Sequence, residues 1–338
     1  MGGKMRLAIL ALFLIGVVAF AGYTLYGQFI EALEPVDTSA TESVAFLVEP
    51  GASTSDVGSD LASEGLVRDG RAFALYARYH GYDGRIQAGW YMLTPAMSPD
   101  DILEFLVEGR VADRTFGVAE GLNVPQVLRS LEEQGMGSLE ELDAAARSRE
   151  PVERWIPGDF QGEYPVEGYL LPNTYRISWD AGPVEVVARM VHAFDEYMDE
   201  RRLEKLAEMG MSVHEFVTLA SIVEREAVVE EERPVIAGVF HNRLEIGMML
   251  QACATVHYAI GRPGGELSQS DLETDSPYNT YRVEGLPPGP IASPGEASLE
   301  ATLYPEDVSY LYFVARGDGT HAFADTFAEH QANINRYR

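Results

Sequence analysis

The chain has 338 residues, of which 46% are hydrophobic, so it is long enough for more than one folded unit and wholesale disorder is excluded. Its 25 Lys and Arg residues stand against 53 Asp and Glu residues, and the net charge of −28 excludes nucleic acid as a partner because such binding neutralises phosphates. The acid excess fits either an ordinary solvated surface or a high-salt exterior in which ions screen the self-repulsion.

The first element is an uncharged apolar run over residues 7–25, with Lys4 and Arg6 before it and acidic residues after it. The run is long enough to cross a bilayer as one helix, and its positive flank belongs on the cytoplasmic side. We therefore predict a cytoplasmic tail at residues 1–6, a transmembrane helix at 7–26 and an exported body. A cleaved signal peptide is the alternative, since residues 19–21 have the small-x-small pattern, but the apolar run continues past that site.

Residues 27–42 mix acids, a proline and small polar residues, which predicts a linker. The first folded unit then begins with residues 45–48, which read as a short strand ended by a Pro-Gly turn. Ser53 or Thr54 can cap the helix that follows.

The same unit contains a second strand signal at residues 88–91 and a second helix start at Ser98, where Pro99 takes the first helical position. Alternating short strands and helices of this size predict a small α/β module over residues 43–114.

The remaining residues, 115–338, include a helical connector, after which helices alternate with Gly- and Pro-rich loops. The connector is the charged, proline-containing stretch at residues 140–159. This pattern predicts a mixed α+β domain, and the fold class of the whole chain is α+β.

Several kinds of chemistry are excluded by missing motifs. The chain has no G-x-S-x-G elbow and no glycine loop followed by lysine, and its lone Cys253 cannot form a C-x-x-C pair. His214 and Glu215 start a zinc-peptidase motif, but Thr218 stands where the second histidine is needed. We therefore predict neither a metal nor a cofactor.

Carboxylate chemistry remains, and residues 216–227 are the place to look for it because they read as an amphipathic helix. Leu219, Ile222 and Val223 place Glu226 at the edge of an apolar stripe, whereas Glu224 points to a different side. An acid beside apolar surface has a raised pKa and can act as a general acid near neutral pH. A solvated surface Glu is the alternative that this pattern alone leaves open.

The second half of the chain also carries ordered matches to one family. They lie at residues 167–175, 220–227, 239–244, 249–251, 276–281, 285–291, 310–315 and 321–323, followed by Thr326 and residues 329–330. On these stretches, with the apolar N-terminal run and the module after it, the chain resembles the MltG/YceG-like endolytic murein transglycosylases over nearly its whole length.

The resemblance implies a single transmembrane helix in the bacterial inner (cytoplasmic) membrane, a LysM-like module at residues 43–114 and a catalytic domain at 115–338 on the periplasmic or extracytoplasmic side. LysM-like modules bind glycans, so Trp90 and Tyr91 are either core side chains or an apolar face for a sugar ring. The implied partners are peptidoglycan glycan strands and peptidoglycan synthases of the penicillin-binding type.

The resemblance places the catalytic glutamate in the segment from Glu224 to Glu226, and we assign it to Glu226 with Glu224 in reserve. The chain departs from the family pattern at two points nearby. Ala227 replaces the hydroxyl residue that commonly follows the catalytic Glu, and residues 253–254 are Cys and Ala where the family usually has an Asp-Pro pair.

The implied reaction cleaves the bond between N-acetylmuramic acid and N-acetylglucosamine and closes a 1,6-anhydro ring on the muramic sugar. Neutral polar groups suited to sugar hydroxyls and acetamides come from three of the matched stretches. The substrate-binding candidates are these neutral groups and one acid, namely Asn242, Gln251, Tyr278, Asn279, Tyr281 and Glu167.

Two other functions remain open. A muramidase would use water, with Glu167 or Glu224 as an additional acid to position it. A non-catalytic glycan-binding scaffold of the wall-synthesis machinery would bind strands without forming any product.

Overall fold

The computed structural model describes the backbone of residues 2–337, and the side chains from residue 9 onward except that of residue 11. The chain divides into two compact units. The first runs up to Arg114 and includes Ser178–Asp180, and the second comprises Thr115–Ile177 and the chain from Ala181 onward.

The first unit contains a long N-terminal helix, a two-stranded antiparallel sheet and three short helices. Their bounds are α1 Gly2–Ala32, β1 Val44–Val48, α2 Thr54–Ser63, α3 Gly70–Tyr79, β2 Gly89–Leu93 and α4 Pro99–Glu108. In the sheet, Phe46 of β1 lies opposite Tyr91 of β2, and both side chains are buried among the helices. The two strands predicted from the sequence are therefore confirmed.

Helix α1 is apolar and long enough to cross a membrane over Leu12–Ala32, and its side chains there are not buried by the rest of the chain. The helix continues six residues into the stretch 27–42 that the sequence predicts as a linker. No proline interrupts the chain before Pro35, so nothing stops the helix at residue 26.

The predicted helix starts in this unit are confirmed. Ser53 caps α2 and Ser98 caps α4, each in a reciprocal pair with an aspartate three residues later. Tyr91 is fully buried and donates its hydroxyl to the carbonyl of Gln87, so it belongs to the core and offers no face to a sugar. Trp90 is partly exposed.

The second unit is mostly helical, with two small sheets. In chain order its elements are β3 Asp113–Gly117, α5 Val124–Glu133, α6 Leu139–Ala146, a 3₁₀ turn at Glu150–Val152, β4 Thr174–Ser178, α7 Pro183–Tyr197, α8 Glu200–Met209, α9 Val213–Glu226, a 3₁₀ turn at Glu230–Glu232, α10 Arg233–Glu245, α11 Cys253–Ala259, α12 Gln269–Leu272, α13 Glu296–Leu303, β5 Tyr312–Ala315, β6 His321–Ala324 and α14 Phe327–Tyr337. Strand β3 pairs with β4, and β5 pairs antiparallel with β6. The predicted mixed α+β class is confirmed.

Helix α9 is the centre of this unit. Ser212 caps its N-terminus in a reciprocal pair with Glu215, and residues 216–223 are all buried. The predicted helix ends one residue early, because Ala227 already has an extended backbone. Glu226 is therefore the last helical residue, at the end of the helix where the macrodipole disfavours negative charge.

Candidate active site

A cavity of about 260 Å³ opens at the C-terminal end of α9. Helix α10, the loop before α11, the β5–β6 hairpin and α14 supply its other walls. The lining residues are Glu226, Arg243, Leu250, Gln251, Cys253, Tyr281, Phe313, Val314, Ala315, His321, His330 and Ile334. Of these, only Glu226 carries a carboxylate, and we call this cavity the cleft.

Glu226 is partly buried in the wall of the cleft, and its Oε1 accepts a hydrogen bond of 3.3 Å from the backbone N–H of Ala254. Burial raises the pKa of this carboxyl above its ordinary value, against the smaller lowering effects of that hydrogen bond and of nearby positive charges. A carboxyl group with a raised pKa is suited to donate a proton as a general acid.

Glu224 points away from the cleft. Its Oε2 accepts hydrogen bonds from the Ser298 hydroxyl at 2.7 Å and from the backbone N–H of Gly295 at 3.2 Å, and Arg233 lies 3.8 Å from its Oε1. Gly295 is the N-cap of α13, so the Glu224 carboxylate satisfies the free end of that helix. The geometry gives Glu224 a structural role.

Two of the predicted substrate-binding residues, Gln251 and Tyr281, lie in the cleft with Glu226. The Gln251 side chain is exposed, and its backbone has a φ of +49°, the left-handed region that non-glycine residues adopt at a cost of about 1 kcal/mol. The Tyr281 hydroxyl lies 3.2 Å from the Cys253 sulfur.

The amides of Asn242 and Asn279 are already used inside the chain. Asn242 donates to the carbonyls of Val308 and Tyr310, which attaches α10 to the segment before β5. Asn279 is fully buried and donates to two carbonyls of the preceding loop. Neither residue lines the cleft.

Glu167 and Tyr278 also lie outside the cleft lining. Glu167 is almost fully buried and accepts from the backbone N–H of Val124, at the start of α5, and from the Tyr258 hydroxyl at 3.3 Å. Burial raises the pKa of Glu167 to about 8. The Tyr278 ring packs on the Tyr258 ring with centroids 5.0 Å apart.

The YceG-like family profile matches residues 46–336, which is most of the chain. The chain belongs to the YceG-like family. An endolytic murein transglycosylase from Bacillus subtilis (strain 168) is 33% identical over 94% of this chain and 90% of its own length. One of the same name from Streptococcus pneumoniae serotype 2 is 29% identical over 95% of this chain and 63% of its own length.

A crystal structure of a yceG-like protein from Listeria monocytogenes shares the fold, with a TM-score of 0.60 and 33% identity. The match covers 86% of this chain and 99% of that one. It therefore includes most of both units of this YceG-like chain.

Sequence reasoning missed two polar groups of the YceG-like cleft, Arg243 and His321. Arg243 is buried and donates to the carbonyls of Leu250 and Leu311, both at 2.6 Å, so it holds the cleft wall as a fixed positive charge. His321 is buried and contacts Glu232. Arg243 and His321 lie in the matched stretches 239–244 and 321–323, and this position in the sequence could have identified them as site residues.

Among the residues that the structure describes, no group of three or more His, Cys, Asp or Glu side chains could hold a metal ion.

Proposed function

We propose that this chain cuts peptidoglycan glycan strands between N-acetylmuramic acid and N-acetylglucosamine with Glu226 as its single acid and base. The prediction that the chain is a lytic transglycosylase is confirmed by its relatives, which are named endolytic murein transglycosylase. The observation that carries the finer proposal is that Glu226 is the one carboxylate among the residues lining the cleft.

The number of carboxylates in the cleft bears on whether the reaction uses water. Glycosidases that use water employ two carboxyl groups about 5 to 9.5 Å apart, one on each side of the bond. Glu224 is committed to α13 and Glu167 is buried against α5, so neither supplies the second group in the cleft. This arrangement supports a reaction that does not need to activate water.

In that reaction, protonated Glu226 donates its proton to the glycosidic oxygen, and the C1–O bond breaks as positive charge develops on the muramic sugar. The Glu226 carboxylate then takes the proton of the same sugar's C6 hydroxyl, whose oxygen bonds to C1. The product is a 1,6-anhydro end, and Glu226 is protonated again. Atoms and charge balance without water.

The remaining site candidates divide by position. Gln251 and Tyr281 face the cleft and are proposed to contact the sugars directly. Asn242, Asn279 and Tyr278 are proposed to support substrate binding by holding the loops around the cleft, since their packing and hydrogen bonds lie within the chain.

We further propose that α1 anchors the chain in the bacterial inner membrane, with the body outside the cytoplasm, because α1 is apolar and unburied over 21 residues. The first folded unit is proposed to act as a LysM-like glycan-binding module. An anchored enzyme of this kind meets strands as they are made, so nascent peptidoglycan and penicillin-binding synthases are the proposed substrate and partners.

Digestion of purified glycan strands, followed by mass spectrometry of the products, tests the reaction. We expect anhydro ends, each lighter than a reducing end by one water, and early products of many lengths if cleavage is internal. Reducing ends would establish a muramidase instead. Strand binding without product would establish a scaffold.

A further inference from the structure

Glu232 and His321 form a hydrogen-bonded pair at the wall of the cleft. Glu232 ends the 3₁₀ turn between α9 and α10, and His321 is the first residue of β6. The two Glu232 oxygens accept the backbone N–H of His321 at 3.0 and 3.1 Å, and Oε2 lies 2.7 Å from its Nδ1. Three contacts to one carboxylate fix both the orientation of the ring and the proton on Nδ1.

The arrangement leaves Nε2 available on the opposite edge of the ring. Within the described residues Nε2 makes no hydrogen bond, and the His321 side chain lines the same cleft as Glu226. The ring is only 6% exposed and packs edge-on against Phe313 at 5.4 Å. The Glu232 side chain is 16% exposed, so the pair is largely shielded from solvent, and ionisable groups held in this way at a cleft are candidates for a functional role.

We propose that His321, oriented by Glu232, is the charge partner of Glu226 and stabilises the carboxylate that exists between proton donation and proton return. The inference rests on the proposed function, in which Glu226 is the acid. His321 acts through Glu226 and is therefore a positioning residue. Burial raises the pKa of Glu226, and the electrostatic effect of His321 is one of the smaller influences that lower it.

The other groups around Glu226 do not replace this role. Arg225 lies on the same helix and donates to the Gly121 carbonyl, and Arg243 of α10 donates to carbonyls of the cleft wall. Both guanidinium groups stay charged at every working pH. The facing titratable groups are Tyr281 and Cys253 from the opposite wall and His330 from α14. His321 is the group whose Nδ1 contacts the Glu232 carboxylate, at 2.7 Å.

The test measures the titration of Glu226 in the full-length chain by ¹³C NMR of its carboxyl carbon, assigned by comparison with Glu226→Gln. His321→Gln removes the partner charge, and Glu232→Gln removes the group that favours it. Each should move the Glu226 midpoint up by about half a pH unit or more, because the electrostatic contribution of His321 in the same cleft is removed or weakened. The alkaline limb of kcat/KM should move up with it.

A matched control is available in His192, which forms an exposed pair with Glu196 at 3.6 Å on α7. His192→Gln should leave both readings unchanged. If His321→Gln lowers the unfolding temperature too far to titrate, Glu232→Gln decides. A Glu226 midpoint that stays in place in a folded Glu232 variant, or moves down, would overturn the proposal. The NMR reading does not depend on turnover, so a chain that makes no anhydro product contradicts the proposed function separately.

Discussion

At the scale of single residues, we expect different roles for the two glutamates at the end of α9, although only one residue separates them. Replacing Glu226 with Gln keeps its size and removes its proton, so turnover should fall by about 10²- to 10⁴-fold while strand binding stays near normal. Initial rates and equilibrium binding on the same glycan strands check this.

Glu224→Gln is the matched control. It weakens the charge-assisted contacts to Ser298 and Gly295, so unfolding should become easier by about 1 to 2 kcal/mol while the folded variant keeps most of its turnover. A Glu224 variant that is stable but inactive, beside an active Glu226 variant, would move the assignment to Glu224.

Glu167 should make stability depend on pH. Its folded pKa of about 8 exceeds the ordinary value near 4.5, so its contribution is fully present below about pH 4.5 and is lost as the pH rises through 8. Between pH 6 and 9 the free energy of unfolding should fall by about 2 to 3 kcal/mol more in the native chain than in Glu167→Gln, which mimics the protonated form. Urea unfolding at both pH values measures it.

The same variant also separates two roles of Glu167. If the residue only holds α5 and Tyr258 in place, Glu167→Gln should turn over nearly normally at pH 7. Loss of turnover in a folded Glu167→Gln variant would instead support the water-using muramidase, in which this acid takes part in the chemistry.

At the scale of elements, the segment 167–171 determines where α9 lies. Gly168 has a φ of +82°, and a Cβ there would lie 2.5 Å from Pro290 and 2.8 Å from Val217 of α9. The next residue, Tyr169, contacts Nδ1 of His214, also on α9, through its hydroxyl at 2.9 Å. The helix that carries Glu226 is therefore packed directly on this turn.

Gly168→Ala should destabilise the chain by about 2 to 4 kcal/mol, because it combines a left-handed backbone with overpacking. Gly158→Ala is the control, since a Cβ at that exposed position meets no atom within 4 Å and its φ is not positive. Thermal unfolding of the two variants should differ clearly. Equal unfolding temperatures would mean that the turn can shift without disturbing α9.

Elements whose signals are local could be predicted from the sequence. Ser98 specifies the start of α4 as its N-cap, and Pro99 fits the first helical position. The spacing of apolar residues before Glu226 predicts both helix α9 and an acid at the edge of its apolar face. Contacts between residues that are far apart in the sequence could not be predicted in this way. Arg243 and His321 are 78 positions apart and meet in the cleft only through the packing of the β5–β6 hairpin near α10.

For a related reason, the sequence does not show which of the predicted substrate-binding side chains face the cleft. Asn279 and Gln251 are equally polar in the sequence, yet one is buried with both donors used and the other faces the cleft. Composition gives no sign of which loop carbonyls lie within reach of an amide. That information is available only from the folded loop.

At the scale of the whole molecule, the residues proposed for catalysis and the helix proposed as the membrane anchor lie in different parts of the chain. Every residue that lines the cleft falls between Glu226 and Ile334, in the second unit, whereas α1 and the α/β module belong to the first. The second unit also supplies the proposed acid Glu226, the backbone N–H of Ala254 that donates to it, and the pair of Glu232 and His321.

A fragment of residues 115–338 should therefore fold cooperatively and cleave short soluble strands within about tenfold of the full-length rate, because no lining residue is removed. In cells the same fragment should fail to replace the full chain, since it loses the high local concentration that a membrane anchor provides near its substrate. Deletion of residues 43–114 with α1 retained is the matched comparison, and it should mainly weaken binding to long strands. A fragment that melts cooperatively but yields no product from short strands would mean that the first unit completes the active site.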